Sequence, residues 1–307
     1  MGSNRAKRVY IHGMAHGEPR VEVIQDGGGL VSAEDRGMFA QMAVAENYRR
    51  YLQPYLFDPW ARQLVNSVGL QRGQTVLDVA AGTGAVARAA ASIVGESGSI
   101  IASDISRSML SSLESSETSR HDADDAPITT LECSATAIDL PDDSVDVVFC
   151  HQGFPFMPDR VAVAREMFRV LRRGGTVAVG VWALGEHLYP FDDYAEFVRQ
   201  HVPDSPFARS MATGSLSMTS EDVASALSGG GFAEVTASLE HLTVQWPTAS
   251  EEAHGITGTP FGPEIGSMAP AAQEDFLAKL AASLADENGA PVPHPSVSVF
   301  GRGAVPR

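Results

Sequence analysis

The stretch V76-L77-D78-V79-A80-A81-G82-T83-G84 decides the fold. Four residues of strand character run into two glycines, and the helix-forming AVARAAASIV (85–94) begins at once behind them. A buried strand that ends in a glycine turn and opens a helix is the first half of a βα unit, and glycine there lets the backbone approach a bound group without Cβ interference. The rhythm repeats. Strand signals stand at 74–80, 98–104, 127–133, 145–151 and 175–182, and helical spacing at 85–94, 106–115 and 159–171, with Gly95 and Gly174 placed to stop helices. Five such steps predict an α/β chain, a Rossmann-like doubly wound, mostly parallel sheet of seven strands once a further helix and strand at 220–239 and a last strand at 295–303 are added.

Around this core the pattern changes. Residues 1–68 read as a leader followed by a helical cap rich in aromatics, 69–182 as the nucleotide-binding core and 183–219 as a lid insertion. Residues 220–307 return to the sheet with a second cap insertion at about 247–293, where AAQEDFLAKLAASLAD is amphipathic; inserts of this length in α/β proteins are usually caps or mobile linkers. The segment 111–126 is rich in Ser and Asp and reads as a solvated helix end and loop.

Composition narrows the partners. With 307 residues, 44% hydrophobic and 20% charged, the chain has the make-up of a globular enzyme. Its formal charge of −16 opposes a nucleic-acid backbone. No apolar run is long enough to span a membrane and no secretion signal is evident, so a cytoplasmic protein is expected. Cys133 and Cys150 form neither a metal-ligand spacing nor a disulfide framework and read as free thiols. In the leader, the alternation at Val21–Ile24 suits an edge-pairing strand through which copies of the chain could associate.

The choice of ligand turns on two carboxylates. Asp104 ends the second strand, where an acid can accept hydrogen bonds from both hydroxyls of a ribose. G82-T83-G84-A85-V86-A87 satisfies the dinucleotide pattern G-x-G-x-x-A, which leaves an NAD-dependent oxidoreductase open. Asp78 tilts the balance, because a carboxylate there would repel a pyrophosphate and welcome, partly through water or loop N–H groups, a ligand carrying an ammonium and a sulfonium, S-adenosyl-L-methionine.

V76–G84 resembles motif I of the class I S-adenosylmethionine-dependent methyltransferases, and Asp104, D142-D143-S144-V145-D146-V147-V148 and M167-F168-R169-V170-L171-R172-R173-G174-G175-T176-V177 are similar to successive motifs of their ubiquinone/menaquinone methyltransferase-like (type 11) branch. The resemblance is good over about residues 45–182 and loose beyond. It implies cofactor contacts from Asp78, Ala80, Gly82, Gly84 and Asp104, an adenine face covered by Ile105, and an adenine edge met by Ser134 and Ala135, with Ser134 in place of the usual Asp and Ala80 in place of a commoner Gly. His151 and Gln152 end the fourth strand at the switch point of the sheet and are expected to face the methyl donor. Tyr51, which three-residue spacing puts on one helix face with Tyr48, is expected to hold the methionine carboxylate.

The expected function is in-line methyl transfer to a small, largely apolar acceptor such as a secondary metabolite or quinone precursor. Alignment is the larger part of such catalysis, and a base is the smaller: orientation supplies ~7–11 kcal/mol and general-base help ~10²–10⁴-fold. His151 and His187 are the candidate bases, the latter in W182-A183-L184-G185-E186-H187-L188-Y189-P190-F191 beside aromatics suited to an acceptor pocket; His12 and His16 of the leader are further candidates. A non-catalytic binding protein that kept the cofactor pocket is the alternative outside enzymes.

Overall fold

A computed structural model describes residues 42–117, 124–202, 205 and 216–307; the leader with Val21–Ile24, His12 and His16, part of the Ser/Asp-rich loop and much of the 203–215 stretch lie outside the described residues. The centre of the molecule is β1 (Thr75–Val79), whose Val76, Leu77 and Val79 are fully buried. It pairs in parallel with β2 (Ser99–Asp104) on one side and β4 (Val145–His151) on the other. A strand covered on both faces reads as a continuous apolar run, and this is the physical reason for the V-L-D-V pattern.

The sheet extends outward from there. β3 (Ile128–Glu132) lies parallel beyond β2, and β5 (Leu171–Ala183) parallel beyond β4. The two-residue β6 (Ser217–Met218) pairs with the end of β5, while β7 (Ala233–Val244) and β8 (His294–Ala304) run antiparallel, giving the path β3-β2-β1-β4-β5-β8-β7 with β6 beside it. The path holds the seven strands expected, and the short β6 is an eighth beside it. β5 also begins earlier than its sequence signal. Leu171 pairs with Val145 before a bulge that spans Gly174 and Gly175, so the glycines interrupt a strand as well as following a helix.

Helices close the crossovers. In numerical order they are α1 (Met42–Asn47), α2 (Asp58–Asn66), α3 (Ala85–Val94), α4 (Arg107–Glu117), α5 (Arg160–Val170), α6 (Phe191–His201), α7 (Ser220–Gly230), α8 (Ala249–Gly255), α9 (Gly262–Gly266) and α10 (Pro270–Leu284). Starts and stops follow side-chain chemistry. Asp159 accepts from Ala162 N at 2.8 Å at the head of α5, and Thr219 with Asp222 forms a capping box on α7, which Gly231 ends in the left-handed region. Residues Tyr48–Phe57, between α1 and α2, wind as a π-helix containing Pro54. That segment packs with α8 and the short turn Ile256–Gly258, and α8 with α10, so the amino-terminal cap and the late insertion meet over the carboxyl ends of the parallel strands. Trp246 Nε1 donates to the Tyr51 carbonyl at 2.6 Å and Trp60 Nε1 to Ser296 Oγ at 3.0 Å, which fixes the cap to the sheet through buried indoles.

Candidate functional site

The loop after β1 gives its two glycines different work. A Cβ on Gly82 (φ 55°) would meet nothing within 4 Å, and the residue faces open space at a cavity. A Cβ on Gly84 (φ 86°) would sit 2.4 Å from Leu113 of α4, so this glycine permits close packing at the head of α3 and does not line the cavity as expected. Gly84 also brings no capping side chain. Asp78 supplies that cap from the strand: its Oδ2 accepts from Ala87 N at 3.1 Å.

Asp78 is expected to act on the cofactor partly through water or loop N–H groups, and the structure turns its carboxyl to the backbone of α3. The carboxyl is 1% exposed, points to the helix rather than into the cavity, and leaves Oδ1 without a partner among the described residues. Burial, reinforced by Asp104 and opposed by the Ala87 amide and Arg88, pushes it up to about 8.

Asp104 does face the cavity. Its Oδ2 accepts from Gly82 N and its Oδ1 from Ser106 N, each at 2.8 Å, and burial raises its pKa against these amides. The Gly82 amide is thus bonded to Asp104. The Ile105 amide adds a further hydrogen bond to the same carboxyl. Ile105, 41% exposed, stands next to it as a large apolar surface. Ser134 and Ala135 line the same side, with Ser134 Oγ 2.9 Å from Thr136 Oγ1.

The cavity holds about 280 Å³ and spans the carboxyl ends of β1 to β5 beneath the cap. Ala80, Gly82, Asp104, Ile105, Ser134, Ala135, His151 and Gln152 all border it, as the sequence led one to expect. Asp104 is the only Asp, Glu, Lys or Arg among its described lining residues. The other half is aromatic: Phe57 stands 4.6 Å from Tyr48 and 5.9 Å from Trp182, and Trp182 stands 6.3 Å from Phe191. His151 lies edge-on to Phe57 at 6.3 Å with Nε2 unpartnered, and burial drives its pKa down to about 3. Gln152 is tied into the wall; its Oε1 accepts from Trp182 N at 2.9 Å and its Nε2 faces Ser298 Oγ at 3.4 Å, with the backbone held at φ 58°.

Two expected residues lie elsewhere. Tyr51 turns away from the cavity, its ring 5.3 Å from His254 and under the Arg50 guanidinium at 4.9 Å. The cause is the π winding, in which Asp58 N donates to the Gln53 carbonyl five residues back, so a three-residue spacing no longer shares a face. Tyr48 lines the cavity instead. His187 is exposed, with Nε2 2.6 Å from Asp193 Oδ2, and does not border the cavity; it belongs to a surface pair at the start of α6. Residues the sequence left unmarked include Met109, Leu216 and the Gly258–Pro260 turn, the last because an insertion shows no periodicity toward the site it covers. Both cysteines are free thiols, Cys150 buried in β4. No helix among the described residues is long and apolar enough to cross a membrane, and no group of His, Cys, Asp and Glu among them is arranged for a metal.

Comparison with known proteins agrees with this geometry. Over 120 residues the chain is 33% identical to the ubiquinone/menaquinone biosynthesis C-methyltransferase UbiE of Escherichia coli, an alignment covering 39% of this chain and 47% of that protein. The chain thus spans about half the length of the curated relatives it matches. Phosphoethanolamine N-methyltransferase 2 of Haemonchus contortus, solved with S-adenosyl-L-methionine, superposes with a TM-score of 0.51 at 19% identity over 81% of this chain and 53% of that one. The same nematode enzyme with phosphomonomethylethanolamine and S-adenosylhomocysteine gives 0.50 at 18% identity, again over 81% and 53%. At that identity the likeness is one of fold.

Sheet order, glycine loop and strand-end carboxylate define a chain of the class I S-adenosylmethionine-dependent methyltransferase type. Residues 50–198, just under half of the chain, match the model of the ubiE/COQ5 methyltransferase family.

Proposed function

We infer that the protein transfers a methyl group from S-adenosyl-L-methionine to a small, largely apolar acceptor held in the aromatic half of the cavity. The observation that carries this reading is the single ionisable carboxylate of the lining, Asp104, fixed by backbone amides at the end of β2, where a ribose diol can meet it. The residues present fit such a nucleoside: Gly82 leaves room where a side chain would intrude, Ile105 offers an apolar face to a base, and Ser134 and Ala135 stand at its far edge. When bound, the sulfonium supplies an activated methyl carbon, and the protein's part is to align and desolvate.

Phe57, Trp182 and Phe191 do this on the acceptor side. A charged acceptor would lose its hydration there without gaining a counter-ion, at a cost of several kcal/mol, which selects neutral molecules. Burial holds the His151 ring neutral, and its Nε2, without a partner among the described residues, is a hydrogen-bonding group of the wall that an acceptor hydroxyl or amine can meet. Nothing in the comparisons favours a nicotinamide dinucleotide.

Calorimetric titration with S-adenosylhomocysteine and with NAD tests the cofactor. Binding of the former alone is expected, and binding of NAD alone would overturn the reading. Transfer of labelled methyl from S-adenosyl-L-methionine into a host extract tests turnover, and a charged labelled product would refute the acceptor class.

A further inference from the structure

We propose that Gln53 is a positioning residue that ties the cap to the glycine loop, so that filling the nucleoside half of the cavity orders the cap over the acceptor half. This rests on the cofactor reading given above. Gln53 lies in the middle of the π-helix and is 3% exposed. Its amide oxygen accepts from Thr83 Oγ1 at 2.5 Å, and its amide nitrogen donates to Asp58 Oδ1 at 3.0 Å. Thr83 stands between Gly82 and Gly84, is 2% exposed, and receives Arg88 Nη1 on its carbonyl at 2.9 Å. The loop is therefore held from below by α3 and from above by the cap.

The bond reaches the acceptor half by short steps. Leu52 adjoins Gln53 in the chain, Tyr48 and Phe57 flank it within the same π-helix, and all three line the cavity. Gly258 then joins the second part of the cap to the first, since a Cβ there would lie 2.5 Å from Tyr48 N. Backbone rests on backbone at that point. Separating cap from loop would strand a buried hydroxyl and a buried amide, and stranding a buried polar group costs more than a hydrogen bond contributes while it is made. The two elements accordingly move together. Only an amide suits the position: it offers an acceptor to the threonine and a donor to the aspartate, whereas glutamate would set two carboxylates face to face and leucine would satisfy neither. π-helical segments recur at functional sites, and this one carries both a cavity wall and its tether.

The test is amide hydrogen exchange on the full chain with and without S-adenosylhomocysteine. In the wild type the compound is expected to slow exchange at residues 80–85 and 104–106, and also at 48–57 and 256–260. In Gln53→Leu the slowing at 80–85 and 104–106 persists, while that at 48–57 and 256–260 falls at least fivefold. Thr83→Val cuts the same bond from the other side and reproduces this loss, and Thr83→Ser, which keeps the hydroxyl, restores the wild-type pattern. These two variants carry the comparison independently of how Gln53→Leu folds. Wild-type protection confined to the loop, or cap protection unchanged in both Gln53→Leu and Thr83→Val, overturns the tether. Absence of protection everywhere in the wild type would instead sink the cofactor reading.

Discussion

Ala80 holds a backbone angle that glycine takes readily, with φ at 57°, which costs a side-chain-bearing residue ~1–2 kcal/mol. Its methyl group is accommodated by Gly153 across the cavity rim, where a Cβ would lie 2.5 Å away. The two small residues are thus a matched pair. Gly153→Ala is expected to destabilise by about 1–3 kcal/mol in urea unfolding, and Ala80→Gly in the same chain to recover most of that loss; strictly additive effects would show that the contact is not shared. Asp104→Asn bears on binding at the same scale. An amide nitrogen cannot accept from Gly82 or Ser106, and losing hydrogen bonds to a charged group should weaken S-adenosylhomocysteine roughly 10- to 100-fold by calorimetry. A change under about threefold would place the ribose elsewhere. Asp78 shows what residue type alone conceals. A carboxylate at the end of β1 is legible, but its direction depends on α3 lacking a capping side chain at Gly84, and the burial that raises its pKa is not written in the residue type.

Elements whose burial has a clean period were readable, and those that bend the period were not. β4 and α3 have the bounds their apolar spacing gives, because one is covered on both faces and the other lays a single stripe on the sheet. The meeting of strand ends at one cavity followed from the parallel arrangement, which is why Asp104, Ser134 and His151 were found together. The π-helix was misread because a spacing of three means one face only at 3.6 residues per turn, and this cost Tyr51 its expected place. The helix α10 was visible in the late insertion, yet the seat of that insertion on Tyr48 was not, since contact runs through a glycine and leaves no side-chain pattern. Gly258→Ala measures this contact. The added methyl must push the turn off the π-helix backbone, so a loss of about 1–3 kcal/mol and faster amide exchange at 48–57 are expected. Unchanged exchange there would mean that the two parts of the cap are independent.

Across the whole molecule, a formal charge of −16 surrounds a core that hides two carboxyl groups, Asp78 and Glu252. Glu252 of α8 is fully buried with no partner for either oxygen among the described residues, and burial pushes it up to about 8. From roughly the ordinary carboxyl value of 4.5 up to about 8, the folded chain holds these protons after the unfolded chain has released them, so stability falls as pH rises through that window. His151 works in the opposite sense at lower pH: between its ordinary 6.5 and about 3 the unfolded ring takes a proton that the folded ring refuses, and stability falls as pH falls. Above pH 6.5 His151 no longer opposes the two carboxyls, each of which contributes a slope of up to about 1.4 kcal/mol per pH unit. Surface self-repulsion has the same sign there, but salt screens it and leaves the buried groups in place. Thermal unfolding at high salt should therefore show a midpoint that drops between pH 6.5 and 8. Glu252→Gln should raise the midpoint at pH 8, flatten the drop, and change little at pH 5; a variant with the wild-type slope would place the proton on some other group.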